Sequence, residues 1–323
     1  MKILLTGCCG FIGFHQTINI LNNTNHQVIG IDNLNSYYDV KFKKDRLKIL
    51  KGKKKFLFHK IDIIDYKKLE KLFIKNRFHT VIHLAAQAGV RYSIEDPKAY
   101  FDSNIMGFFN ILEFSRVFNI KHLIFASTSS VYGASNKFPL KEDYDTNKPL
   151  SFYAATKKSN EVMAYSYSNI YKLPTTALRF FTVYGPYGRP DMSLYKFTKA
   201  IFNNNKISLF NKGDHVRDFT YVEDIVSAIE KLIKVKPSSK IPFEVYNIGN
   251  EKPVLLKDMV NQLEKNIGRS AKKKYLKLQM GDVYKTHADV SKLSKAIGYK
   301  AKTSIKDGVK EFVKWYRLNI KNG

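Results

Sequence analysis

Tyr153 and Lys157 stand four residues apart in Tyr153-Ala154-Ala155-Thr156-Lys157, so a helix would place them on one face. A phenol with its ordinary pKa near ~10 is a poor base at neutral pH. A neighbouring ammonium, or any other cation held beside it, would stabilise the phenolate and bring it into the range of general acid–base work. The spacing alone is weak, because Tyr and Lys are abundant in this chain, and the surroundings have to decide. One such feature is the hydroxyl cluster Ser127-Thr128-Ser129-Ser130-Val131-Tyr132-Gly133, which follows an apolar run. It would lie at the carboxyl end of a strand, where open α/β sheets hold their ligands. A hydroxyl there can donate to a substrate oxygen while the tyrosine removes its proton; otherwise the cluster is a polar strand end closing a loop.

A second feature is Thr6-Gly7-Cys8-Cys9-Gly10-Phe11-Ile12-Gly13, with glycines three apart between a first strand and a first helix. In such a turn the glycines let the backbone approach a pyrophosphate, and the helix N-terminus supplies oriented N–H groups. The next strand ends at Asp32-Asn33. A carboxylate at that place accepts hydrogen bonds from an adenosine ribose and repels a 2′-phosphate, which favours NAD over NADP. Asp62, at the end of a third strand, either binds an adenine amino group or caps a helix.

The elements that must position these residues alternate along the chain. Short Val/Ile/Leu/Phe runs at 2–5, 27–31, 55–59, 80–84, 122–126 and 175–179 are expected as strands. Amphipathic stretches at 13–22, 66–75, 97–118 and 152–171 are expected as helices. Nearly continuous apolar strands joined by helices mean a parallel sheet buried on both faces, a doubly wound Rossmann-type α/β fold. After about residue 180 the turns crowd together, at Tyr184-Gly185-Pro186, Gly188-Arg189-Pro190 and Lys212-Gly213-Asp214. Residues 181–323 therefore read mainly as a smaller α+β cap on a domain of residues 1–180. A helix at 221–235, with Ile225, Ala228, Ile229 and Leu232 at helical spacing, returns to the sheet within a segment near 215–250.

The 323 residues carry 55 Lys plus Arg against 28 Asp plus Glu, a formal charge of +27, which raises the question of nucleic acid. Of the basic residues 46 are Lys and 9 are Arg, whereas nucleic-acid recognition leans on the forked guanidinium. The excess also sits mostly in two stretches, residues 41–75 at +10 and 252–321 at +12, leaving residues 76–251 at +6. A solvated lysine-rich surface is the simpler account, with no nucleic-acid partner. The longest apolar runs fall short of the ~20 residues of a membrane span, and no secretory signal stands at the N-terminus, so a cytoplasmic location without membrane partners is expected. Cys8 and Cys9 are adjacent and without further cysteines, so neither a disulfide scaffold nor a metal site is expected.

With these motifs in hand the chain resembles the extended short-chain dehydrogenases/reductases of the NAD-dependent epimerase/dehydratase family, in particular the bacterial UDP-glucuronate 4-epimerases. The likeness runs through the glycine loop, Asn35-Ser36-Tyr37-Tyr38-Asp39-Val40, Asp45-Arg46-Leu47 and His83-Leu84-Ala85-Ala86-Gln87-Ala88-Gly89-Val90-Arg91-Tyr92-Ser93. It continues through the Tyr153/Lys157 pair, Arg179-Phe180-Phe181-Thr182-Val183-Tyr184-Gly185-Pro186, Gly188-Arg189-Pro190-Asp191-Met192, Arg217-Asp218-Phe219-Thr220-Tyr221-Val222 and Gly281-Asp282-Val283.

The resemblance implies NAD as cofactor and catalysis by Tyr153, Lys157 and Thr128. It implies a cofactor site formed by Gly7, Gly10, Phe11, Ile12, Gly13, Asp32, Asn33, Asp62, Ile63, Leu84, Ala85 and Ala86 together with Tyr153 and Lys157. It places a UDP-sugar against Gln87, Arg91, Ser129 and Ser130, with Arg189 and Arg217 at the diphosphate, Phe210 at the uracil, Asp282 at the uridine ribose and Thr182 at the sugar carboxylate. It also implies a homodimer through the helices at 97–118 and 152–171. Ser129 and Ser130 stand where sugar 4,6-dehydratases carry Asp and Glu, and UDP-glucuronate decarboxylases commonly carry Glu in place of Ser130. What remains is oxidation and reduction at one carbon, on UDP-glucuronate or, alternatively, on UDP-glucose or a UDP-N-acetylhexosamine. Two other classes stay open: a nucleic-acid-binding protein, suggested by charge alone, and a catalytically silent NAD sensor, against which the intact Tyr153, Lys157 and Thr128 argue.

Overall fold

Six apolar runs become parallel strands in this computed structural model, which describes residues 1–277 and 283–321. They are β1 (Lys2–Thr6), β2 (Gln27–Asp32), β3 (Phe56–Lys60), β4 (Thr80–His83), β5 (His122–Thr128) and β6 (Thr175–Phe180). Four short strands follow, β7 (Thr182–Tyr184), β8 (Lys206–Phe210), β9 (Val216–Arg217) and β10 (Phe219–Tyr221). After them come β11 (Phe243–Ile248), β12 (Val254–Leu255) and β13 (Lys272–Leu276). The main sheet has seven strands in the order β11-β6-β5-β4-β1-β2-β3, so the chain winds outward both ways from β1. The order reverses between β1 and β4, paired in parallel from Ile3↔Thr80 to Thr6↔His83, and a crevice opens beyond their carboxyl ends.

Alternate side chains of each strand feed two cores. Ile3, Leu5, Val28, Ile82, Ile124 and Leu178 face one layer of helices; Leu4, Ile29, Val81, Leu123, Phe125 and Ala177 face the other. The helices in chain order are α1 (Phe11–Asn23), α2 (Val40–Lys51), α3 (Tyr66–Lys75), α4 (Tyr92–Glu95), α5 (Pro97–Tyr100) and α6 (Gly107–Val117). They continue with α7 (Phe152–Tyr171), α8 (Ser193–Phe202), α9 (Val222–Leu232), α10 (Leu256–Ile267), α11 (Ser291–Ile297) and α12 (Ile305–Tyr316). Phe14 and Ile20 of α1 and Ile225 and Ile229 of α9 cover the first face, and Leu69, Phe73, Phe108, Ile111 and Ala164 of α3, α6 and α7 cover the second. A third core, with Phe197 of α8, Leu209 of β8, Leu263 of α10 and Phe312 of α12, holds the cap together.

The structure departs from the expected elements in three places. The helix expected at 97–118 is interrupted by a π-helical turn, Phe101–Met106. Asn104 lies in that turn, accepting from Gln87 N–H at 2.8 Å and donating to Gln87 C=O at 3.0 Å, while its own carbonyl accepts from Asn160 at 2.6 Å. Such tertiary bonds favour a bulge over an unbroken ladder. The helix α2 was not expected, because a lysine-rich stretch shows little apolar periodicity; it buries Lys43 and Arg46 beside Leu47 and Leu50. The seventh strand β11 was not expected either, and it pairs with β6 along its whole length.

Two imidazoles are buried in the sheet. His83 is pushed down to about 3 by burial and then by the Lys157 charge, and His122, bonded to Thr176 Oγ1 at 2.8 Å, is pushed down to about 4 chiefly by burial. Both are neutral in the folded protein at pH 7 and protonate below pH 6.5 once unfolded, so the stability they contribute is complete above that value and lost as pH falls through 4 and 3. Each should cost on the order of 2–3 kcal/mol between pH 7 and pH 4. Buried carboxyls with raised pKa, such as Asp32 and Asp218, act in the opposite direction. Urea unfolding of the protein and of His122→Gln at pH 7, 5.5 and 4.5 isolates the imidazole: the variant should lose less stability on acidification, and equal slopes would remove His122 from the account.

Candidate active site

One cavity of about 1070 Å³ occupies the crevice at the carboxyl edge of the sheet and runs on into the cap. Pockets for one small ligand span about 300–1,000 Å³, so this one has room for two. At one end the chain leaves β1 at Thr6, turns at Gly7 with φ +71° and enters α1 at Phe11. A Cβ on Gly7 would lie 2.8 Å from Ala85 N, and one on Gly13 would lie 2.0 Å from Gly7 O, so both positions exclude any side chain. The N-cap of α1 is Gly10, which offers no capping side chain, and the first turn holds no acid. Its N–H groups are left for an anion, as a pyrophosphate would require.

Asp32 ends β2 at the cavity wall. Its carboxylate accepts from Leu34 N–H at 2.8 Å and Cys9 N–H at 3.1 Å, and burial raises its pKa against those bonds and the charges of Lys43 and Arg46. Asn33 donates to Asp62 at 2.8 Å, and Asp62 also accepts from Ile64 N–H. The cap of α3 is Asp65, which accepts from Lys68 N–H, so Asp62 is left facing the cavity. Ile63, Leu84, Ala85 and Ala86 complete this end together with Phe11 and Ile12. Ala85 N–H donates to Thr6 Oγ1 at 3.1 Å, and the same hydroxyl meets His83 Nδ1 at 2.8 Å, which binds β1 to β4 where the crevice opens. An adenine dinucleotide fits these residues: a glycine cradle, open helix N–H groups and a carboxylate at the end of β2.

Midway along the cavity, β5 delivers Thr128 and α7 delivers Tyr153 and Lys157. Ser151 caps α7 by accepting from Ala154 N–H at 3.2 Å. The Thr128 hydroxyl donates to Ser130 Oγ at 3.2 Å and shares the cavity wall with the Tyr153 phenol. Burial raises the Tyr153 pKa, while the Thr128 hydroxyl and the Arg189 charge work against it. Lys157 is 2% exposed and burial brings it down to about 8, with the Glu161 carboxylate resisting. Ser129 and Ser130 follow in a 3-10 turn, Ser129–Tyr132, and line the same wall with Gln87.

The cap closes the far end. Thr182, bonded through its N–H to Asp218 C=O at 3.0 Å, reaches the wall from β7. Arg189 forms a forked pair with Asp191, 3.0 Å from Nε to Oδ1, and Tyr37 donates to the same carboxylate at 3.1 Å. Arg91 lays its guanidinium 4.9 Å from the Phe210 ring, joining the loop after β4 to the cap. Arg217 donates to the carbonyls of Val216 and Tyr284, both at 3.0 Å. Every expected site residue thus meets in one cavity except Asp282, which lies outside the described residues together with Gln279, Met280 and Gly281.

Three further residues shape the site without having been singled out for it. Lys43 reaches the adenosine end and donates to Asn35 C=O at 2.9 Å. The buried Arg46 guanidinium donates to Cys9 C=O at 2.9 Å and to Tyr187 C=O at 2.7 Å, tying the glycine loop to the cap. Asn104 holds Gln87 as described. Lys43 and Arg46 fall in the basic stretch 41–75, where charge hid them; a positive residue at a helix position otherwise filled by Leu47 and Leu50 was the available signal.

Comparison with known proteins agrees with this geometry. A family profile described as GDP-mannose 4,6 dehydratase matches residues 4–312. Protein CapI of Staphylococcus aureus is 53% identical, over 98% of each chain. A UDP-glucuronate 4-epimerase of Thermodesulfobacterium geofontis is 42% identical, covering 98% of this chain and 96% of that one. The crystal structure of UDP-glucuronic acid 4-epimerase from Bacillus cereus, in complex with UDP-glucuronic acid and NAD, superposes with a TM-score of 0.91 at 34% identity, covering 98% of this chain and 99% of that one. With the glycine cradle, the Tyr153/Lys157 helix and likeness along nearly its whole length, the chain belongs to the NAD-dependent epimerase/dehydratase family of extended short-chain dehydrogenases/reductases.

Proposed function

We propose that the protein is an NAD-dependent UDP-glucuronate 4-epimerase that interconverts UDP-glucuronate and UDP-galacturonate. The observation that carries this reading is the meeting of Thr128, Tyr153 and Lys157 on the wall of one cavity, with Ser129 and Ser130 rather than acids following Thr128. Bound in the glycine cradle, NAD would accept a hydride from the sugar C4 and return it to the opposite face of the 4-keto sugar, and so be regenerated in each cycle.

The chain's own groups handle the proton and the orientation. Tyr153, as phenolate, takes the proton of the 4-hydroxyl and gives it back, and Thr128 donates a hydrogen bond to the same oxygen. Burial opposes the phenolate, so the cationic nicotinamide, Lys157 and Arg189 must together make up the difference. Lys157 also holds the nicotinamide ribose. Asp32, Asn33 and Asp62 take the adenosine, with Gly7, Gly10, Phe11, Ile12 and Gly13 at the pyrophosphate and Ile63, Leu84, Ala85 and Ala86 along the rings. Arg189 and Arg217 serve the substrate diphosphate, Phe210 the uracil and Asp282 the uridine ribose. Gln87, Arg91, Ser129 and Ser130 line the sugar, and Thr182 offers its hydroxyl to the uronate carboxylate. Ser129 and Ser130 put no acid next to Thr128 for the elimination of water, which favours epimerisation over dehydration.

We read the protein as a cytoplasmic homodimer. Phe101, Met106, Phe109 and Val117 around α6 and Val162 and Tyr165 on α7 are exposed on neighbouring helices, an apolar face that a second copy would cover. The lysine-rich surface then serves solubility and the encounter with a polyanionic sugar nucleotide rather than nucleic acid.

Incubating the protein with UDP-glucuronate, UDP-glucose and UDP-N-acetylglucosamine and following the anomeric protons by NMR should show UDP-galacturonate as the preferred product; UDP-galactose alone would reject the uronate assignment. Tyr153→Phe should keep its fold and its bound NAD while kcat drops about 10²–10⁴-fold, and undiminished turnover would remove Tyr153 from the mechanism. Sedimentation should give twice the 37.3 kDa chain mass, reduced to monomer in Val162→Glu/Tyr165→Glu; a monomeric wild type would exclude the dimer.

A further inference from the structure

Directly behind the Thr128–Tyr153–Lys157 group lies a buried polar cluster that the proposed reaction does not use. Glu161 is 3% exposed and sits one turn beyond Lys157 on α7. Its Oε1 accepts from Ser127 Oγ at 2.6 Å and from Arg179 Nε at 2.9 Å, and its Oε2 lies 2.8 Å from Arg179 Nη2. Arg179, on β6, also donates to Tyr132 Oη at 2.9 Å and to Glu142 C=O at 3.0 Å. Tyr132 in turn donates to Asn247 Oδ1 on β11 at 2.7 Å. Glu161, Arg179 and Tyr132 do not reach the cavity wall, so they have no contact with a ligand there.

A buried ion pair is weak grounds for stability, since well-packed apolar groups often do as well or better. The placement of this one points to a task. Ser127 immediately precedes Thr128 at the end of β5, and Glu161 shares its helix and its face with Lys157. One carboxylate therefore ties the strand bearing Thr128 to the helix bearing Tyr153 and Lys157. The charged and titratable groups around the Lys157 amine are Tyr153 and Glu161 on α7, the neutral His83 at the end of β4, and Arg179 on β6 beyond Glu161; among the described residues no carboxylate forms a salt bridge with Lys157 itself. Lys158, also on α7, touches Glu161 at 3.8 Å from the more exposed side.

We propose that Glu161 is a positioning residue for the reaction: it locks the Thr128 end of β5 to α7 and supplies the counter-charge for the Lys157 ammonium. This rests on the epimerase reading for its catalytic consequence but not for its electrostatic one. Burial favours the neutral amine of Lys157, and the Glu161 carboxylate opposes that. Removing its charge should move the proton loss of Lys157, and with it the alkaline limb of the rate profile, to lower pH.

The test compares wild type, Glu161→Gln, Ser127→Ala and the double variant Glu161→Gln/Arg179→Met, the last avoiding the unpaired buried guanidinium that could unfold the single one. For each holoenzyme the titration of the Lys157 amine is followed across pH 6–10 by NMR of protein carrying isotope-labelled lysine, assigned with Lys157→Arg, alongside the pH dependence of kcat. In the folded Glu161 variants, Lys157 titration and the alkaline limb should both shift by at least half a pH unit to lower pH. Ser127→Ala should lower kcat several-fold with neither shifted. An unshifted Lys157 titration, or full kcat in Ser127→Ala, would overturn the proposal. If none of the UDP-sugars is turned over, the Lys157 titration still decides the electrostatic role of Glu161, and only the epimerase reading fails.

Discussion

The reversal of strand order between β1 and β4 is the constraint on which the rest of the structure depends. Helices leaving those two strands diverge to opposite faces, and the gap beyond the strand ends is where backbone N–H groups and side chains of both halves can meet a ligand. The gap is held to its dimensions by small means. Gly7 admits the Ala85 backbone to within contact, and the Thr6 hydroxyl bridges Ala85 and His83. Everything assigned to the cofactor is disposed around that junction, and everything assigned to the substrate comes from strand ends to one side of it or from the cap above it.

Desolvation sets the electrostatic terms of the site. Burial raises the Tyr153 pKa and, even against the Glu161 carboxylate, brings Lys157 down to about 8, both opposed to a phenolate–ammonium pair. The protein answers with fixed partners: the Thr128 hydroxyl and the Arg189 charge at the phenol, the Glu161 carboxylate near the amine. Arg189 itself is shared with Asp191, so its charge is partly spent within the cap and its reach toward a diphosphate or a phenolate is tuned by that pairing. A cationic nicotinamide would complete the balance, which is a physical reason for an epimerase of this kind to hold its cofactor throughout.

Much of this was legible in the sequence because the relevant signals are local. Strand, glycine turn and helix sit side by side at residues 2–23, and the four-residue step from Tyr153 to Lys157 needs only a helix to become a shared face. Asp62 could not be resolved locally, since Asp65 three residues on competes for the α3 cap, and the structure gives the cap to Asp65. What stayed hidden depends on distant contacts. Lys43 and Arg46 looked like two more charges in a basic stretch until tertiary packing turned them inward onto Asn35 and Cys9. The π-turn at Phe101–Met106 comes from Asn104 reaching Gln87 and Asn160, partners 17 and 56 residues away. The pairing of β11 with β6 joins segments more than sixty residues apart.

The central claim is that C4 is oxidised and reduced within one closed site, with no exchange to water. UDP-glucuronate carrying deuterium at C4, incubated with the protein in ordinary water without added cofactor, tests it directly. The account predicts UDP-galacturonate with deuterium retained at C4. UDP-galacturonate from which the label has washed out would contradict it, because a proton abstracted to solvent, rather than a hydride removed and returned, would then be the species that moves.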